Sequence, residues 1–125
     1  YPGKCRNIHG HSYRLFVTVE GAPLHQPGAS ADGMVFDFGA LKRIVSEAVV
    51  EPFDHALVLP RLDGETEAPQ FGGYGAKLVL VGFQPTTENL LMHFAQKLAG
   101  AMPQGCRLHS LKLYETESSC AELLL

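Results

Sequence analysis

Long apolar runs are missing from this chain of 125 residues. Even runs such as Leu78-Val79-Leu80-Val81 fall far short of the roughly 20 residues a helix needs to cross a bilayer, so no membrane association is expected. No basic stretch leads into an apolar one near the start, so no secretion signal is read. Cysteines number only 3, too few for a self-contained disulfide set; reduced thiols in the cytoplasm are the expectation. A basic excess is also lacking, with 10 Lys+Arg against 13 Asp+Glu, which argues against nucleic-acid binding. An initiator methionine is absent before Tyr1-Pro2-Gly3, and the expectation is a natural chain that extends upstream. What is present is 46% hydrophobic residues in a length typical of one domain, so residues 1–125 are read as a single globular unit.

Residues 12–20 read as a strand, with Tyr13, Leu15, Val17 and Val19 on its better-buried face. Pro23, Pro27, Gly28 and Asp32 turn the chain, and Met34–Phe38 reads as a second strand closing an antiparallel hairpin. Asp37 sits where a helix cap belongs. Leu41, Ile44, Val45 and Ala48 then define an amphipathic helix that should stop before Pro52. Asp54-His55 opens Ala56–Leu59, residues 61–76 read as a Gly-rich loop, and Lys77–Phe83 as a strand. Pro85-Thr86-Thr87-Glu88-Asn89 starts a second helix with Leu90, Leu91, Phe94 and Leu98 inward, ended by Gly100. Leu108–Thr116 reads as a strand with Leu111, Leu113 and Glu115 on one face, and Cys120–Leu125 as a last strand. The class is α+β, two helices on one face of an antiparallel sheet.

Chemistry concentrates in Cys5-Arg6-Asn7-Ile8-His9-Gly10-His11. Alternate strand residues share a side, so His9 and His11 can put two imidazoles on one metal ion such as zinc. Cys5 could be a third ligand, or a thiolate nucleophile or base favoured by Lys4 and Arg6. The plainer alternative is a polar strand start beside a buried thiol. Asp54-His55 offers an imidazole with a carboxylate for acid/base work, although adjacent residues do not easily face each other. Glu115, among leucines, needs a partner if buried and ionised, and a guanidine-like ligand edge would serve. His25, His93 and His109 read as structural or solvent-facing, Cys106 and Cys120 as inert thiols. Gly72-Gly73-Tyr74-Gly75 lacks the Lys-Ser/Thr of a phosphate loop.

In order along the chain, Cys5-x-x-x-His9-Gly10-His11-Ser12-Tyr13, Gly33–Lys42, Asp54-His55-Ala56-Leu57, Pro85–Leu90 and Leu113–Thr116 resemble the 6-pyruvoyltetrahydropterin synthase / 6-carboxytetrahydropterin synthase family. That resemblance implies the tunnelling fold, whose subunits form trimers with a closed β-barrel and stack into hexamers with active sites between subunits. It implies Zn2+ held by His9, His11 and a third histidine on a strand preceding Tyr1. It makes Cys5 the catalytic cysteine, with Asp54 and His55 as acid/base partners from a neighbouring subunit. Glu115 would anchor the pterin's 2-amino and N3 edge, with Thr86 and Thr87 contacting the ring. The implied substrate is 7,8-dihydroneopterin triphosphate. The three-residue spacer between Cys5 and His9 favours the bacterial 6-carboxytetrahydropterin synthases of 7-deazaguanine and queuosine synthesis over the pyruvoyl enzymes.

Three other readings compete: a non-catalytic pterin binder, a metal-free pterin aldolase, and a structural zinc module. A chelating His9/His11 pair argues against the aldolase, and a structural module would show four closed ligands. Neither the residues that hold the triphosphate nor a role for the 60–76 insertion follows from the sequence.

Overall fold

The computed structural model describes residues 10–61 and 77–125; Cys5, His9, Gly72-Gly73-Tyr74-Gly75 and most of the 60–76 insertion lie outside them. In chain order the elements are β1 (Arg14–Gly21), α1 (Phe38–Val45), a π turn (Ser46–Val50), α2 (Glu51–Phe53), β2 (Leu57–Pro60), β3 (Leu78–Val81), α3 (Thr87–Ala99), β4 (Cys106–Tyr114) and β5 (Cys120–Leu124).

β1 alternates as its sequence predicts: Leu15, Val17 and Val19 face the core, while Arg14, Phe16 and Thr18 are exposed. It pairs antiparallel with β4, and β4 with β5, giving the order β1-β4-β5. Leu108 and Leu111 are both buried although three residues apart, a spacing that strict alternation would put on opposite faces. The ladder solves this by slipping: Thr18 faces Ser110 but Val19 faces Leu108, so His109 is left over as a bulge. α3 lies on this face. Its Leu90, Leu91, Phe94 and Leu98 meet Leu108, Leu111 and Leu113 in one cluster, where Leu98 and Leu111 are 0% exposed and Leu113 1%. The architecture is α+β, with the helical layer on the inner face of the antiparallel sheet.

Four expectations are corrected. Met34–Phe38 is not a strand. The Asp37 carboxylate accepts the Ala40 N–H at 2.9 Å and commits Phe38 to the first turn of α1, while β1 pairs with β4 instead. The first helix does not stop before Pro52. A proline ring clashes with the carbonyl four residues back and has no N–H to give. The helical run widens into the π turn, where the Glu51 N–H reaches back to the Ser46 carbonyl, and continues past Pro52 to Phe53. Val49, inside that turn, is the residue of the run buried in the core. The sheet is not wholly antiparallel either. β2 and β3 form a separate parallel pair from Leu57↔Leu78 to Pro60↔Val81, and the interval between them exceeds the dozen or so residues a parallel connection needs. Lastly, β4 ends at Tyr114, so Glu115 lies beyond it in the β4–β5 turn, where its N–H bonds the Ser119 carbonyl at 2.9 Å. No helix among the described residues is long and apolar enough to cross a membrane.

Candidate functional site

Antiparallel register builds the first half of the site. The β1–β4 ladder ends at Arg14↔Tyr114, which leaves Tyr13 and Glu115 just beyond its last pair. His11, three residues before β1, lies close to Glu115, the first residue past β4. His11 Nδ1 stands 3.6 Å from Glu115 Oε1, too long for a hydrogen bond. The His11 and Tyr13 rings meet edge to face with centroids 6.0 Å apart. Burial, and then the Glu115 carboxylate, raise the Tyr13 phenol above the ordinary tyrosine value. Glu115, in the turn past β4, is not sequestered. Its side chain is 37% exposed and that of His11 26%, so a ligand can reach both.

The second half is the Asp54–His55 pair at the end of α2. Contrary to the expectation for neighbours, their side chains do face each other: His55 Nδ1 lies 2.9 Å from Asp54 Oδ1. The reason is backbone. Asp54 is extended at φ −64°, ψ 130°, whereas His55 has φ 54°, in the left-handed region. This switch brings the second side chain to the side of the first. A non-glycine residue there costs about 1–2 kcal/mol, which the surroundings must offset. The Ala56 N–H bonds the Phe53 carbonyl at 3.2 Å, and the Lys77 ammonium donates to the carbonyls of Asp54, at 3.0 Å, and Glu51. Both side chains of the pair are open, at 60% and 91% exposed, which suits an incoming substrate.

Thr86 and Thr87 divide their duties. The Thr86 hydroxyl accepts the Asn89 N–H at 3.2 Å as the cap of α3, while Thr87, the first residue of the helix, is buried. His93 packs against Phe53, Phe83 and Phe94, and Cys106 Sγ donates to the Val35 carbonyl at 3.2 Å.

For a metal, the described residues supply one expected ligand, His11, with a carboxylate behind its ring of the kind that orients metal-bound histidines. They gather no group of three donors, so by themselves they do not make a zinc centre. Among the described residues no hydrogen bond, ion pair or ring contact joins the His11–Tyr13–Glu115 group to Asp54–His55. A shallow hollow lined by Glu20, Gly21, Gly105, Cys106 and Arg107 lies at the opposite end of β1 from Arg14, about 23 Å along the strand, and holds none of these residues. Sequence reasoning missed Lys77. Its partners are 23 and 26 residues away, beyond any spacing pattern.

Comparison with known proteins bears on this arrangement. Residues 1–124 match the model of the 6-pyruvoyl tetrahydropterin synthase family. The chain is 32% identical, over 98% of its length and 85% of the relative's, to a protein of Haemophilus influenzae named 6-carboxy-5,6,7,8-tetrahydropterin synthase. It is also 32% identical, over 94% of its length and 68% of the relative's, to a 6-pyruvoyl tetrahydrobiopterin synthase of Pongo abelii. Among solved structures, 6-pyruvoyl tetrahydropterin synthase from Plasmodium vivax superposes with a TM-score of 0.66 at 18% identity, covering 92% of this chain and 79% of that one. An uncharacterized protein of Wolinella succinogenes gives 0.67 at 22% identity, covering 96% and 80%. These last two establish likeness of fold.

Proposed function

The chain belongs to the 6-pyruvoyl tetrahydropterin synthase family, enzymes that act on pterins, and from that premise we propose that it is a lyase converting 7,8-dihydroneopterin triphosphate to 6-carboxytetrahydropterin, a step toward 7-deazaguanines. The observation that carries this reading is the match across 98% of the chain to a bacterial relative of that name. The site residues suit the chemistry. Glu115, open just past the end of β4, takes the guanidine-like edge of the pterin in charge-assisted hydrogen bonds, and the exposed Thr86 lies beside the ring while buried Thr87 supports the start of α3. His55 donates Nδ1–H to Asp54, which leaves Nε2 to accept or return a proton at the substrate side chain. Cys5, activated by Lys4 and Arg6, is the second proton-transfer group.

His9 and His11 are the proposed zinc ligands, with a third donor outside the described residues; bound Zn2+ would supply Lewis acidity toward the side-chain hydroxyls. In this reading the two halves of the site come together between subunits of a barrel-forming homohexamer.

A second reading, a 6-pyruvoyltetrahydropterin synthase that eliminates triphosphate, rests on the equal identity to the Pongo abelii protein. Turnover of 7,8-dihydroneopterin triphosphate with products identified by mass separates the two. Acetaldehyde with 6-carboxytetrahydropterin supports the first, and pyruvoyltetrahydropterin the second. No conversion at all by zinc-loaded protein refutes both.

A further inference from the structure

We infer that Lys77 is a positioning residue for the Asp54–His55 pair, an inference that rests on the acid/base reading of that pair. Lys77 holds the turn from two sides. Its ammonium donates to the carbonyls of Glu51 and Asp54, and its own carbonyl accepts the Leu57 N–H at 2.8 Å. The first grip lies before His55 in the chain and the second just after it, so one residue brackets the left-handed backbone at φ 54°.

The carbonyls at a helix C-terminus lack partners within the helix and attract a cation. Lys77 meets that need from the start of β3, tying the end of α2 to the β2–β3 pair. His55 is 91% exposed, so little side-chain packing fixes its ring; its direction is set by the turn and by the 2.9 Å contact to Asp54. That contact selects the tautomer with the proton on Nδ1 and aims Nε2 outward. Without the ammonium, the turn is no longer tied to β3 and His55 is released to the extended conformations that adjacent residues ordinarily share, with its ring turned from Asp54. Lys77 touches no reacting atom in this scheme and acts through His55.

The test compares Lys77→Met, Lys77→Arg and His55→Ala in the full-length, zinc-loaded protein. It measures kcat and KM for 7,8-dihydroneopterin triphosphate, and the Nδ1-H tautomer fraction of His55 by 15N NMR. Lys77→Met should lower kcat about tenfold or more while KM stays within about twofold, as expected when a proton-transfer group is misaimed and substrate binding is left intact. The Nδ1-H fraction should fall with it, and Lys77→Arg, which keeps the donor, should restore most of both. In a His55→Ala background, Lys77→Met should cost nothing further. An unchanged tautomer fraction, or a full additive loss in that background, overturns the inference. Should Lys77→Met not fold, Lys77→Leu, which also lacks a donor, carries the same comparison. If His55→Ala alone retains full turnover, the acid/base reading fails, while the NMR comparison still decides whether Lys77 orients the ring.

Discussion

His11 Nδ1 stands 3.6 Å from Glu115 Oε1, joining a residue just before β1 to one just after β4 across the end of the antiparallel ladder. The end of the ladder sets a carboxylate beside His11 of the His9-Gly10-His11 motif. If Glu115 is the pterin anchor, Glu115→Gln exchanges a charge-assisted bond for a neutral one. Calorimetric titration with neopterin should then show binding weaker by about 2–4 kcal/mol, and unchanged affinity would remove Glu115 from the site.

Cys5→Ala should abolish turnover while the metal content per chain, read by atomic emission, stays at the wild-type level. Loss of zinc in this variant would identify Cys5 as a ligand and not a proton-transfer group.

His93 sits with its ring centroid 5.2 Å from that of Phe83 and 5.9 Å from that of Phe53. Burial, and secondarily the Lys97 charge, lower its pKa below the ordinary 6.5. The folded protein therefore holds less proton at this site than the unfolded chain just below pH 6.5. The stability linked to His93 is complete above that pH and is lost as pH falls through the lowered folded-state value. Denaturant midpoints measured from pH 7.5 down to 5 should drop, and His93→Phe should flatten the slope. An equally steep slope in that variant would assign the effect to other groups.

Leu111 is 0% exposed and lies just past the bulge that lets it share the core with Leu108. Leu111→Ala should destabilise the fold by about 2–5 kcal/mol in urea unfolding. Phe16→Ala, on the exposed face of the neighbouring strand, should cost far less in the folded monomer. Equal destabilisation by the two would mean that the exposed face is itself buried in an assembly.

Sedimentation equilibrium should give a mass near six subunits. A mass near one subunit would rule out a site shared between chains.

Much of this arrangement was legible before any coordinates. Asp37 as a cap, the Thr86-Thr87 helix start, the α3 stripe and the alternation of β1 are local patterns, and local patterns report which side of an element meets the core. The chemistry-bearing residues, from Cys5 to Glu115, stood out by type and order. Other features depended on partners distant in sequence. Met34–Phe38 has strand composition, yet β1 gives its ladder to β4. Pro52 reads as a stop, yet a widened turn lets the helix continue. The bulge at His109 is invisible in β4 alone, because it exists only relative to Thr18 and Val19. Periodicity and residue chemistry thus determined the class of fold, the buried stripes and the identity of the candidate groups. The tertiary structure decided the register that sets Glu115 beside His11, and the left-handed turn, gripped by Lys77, that joins His55 to Asp54. These are matters of where separate segments meet, and the free energy that chooses among such meetings belongs to no single segment.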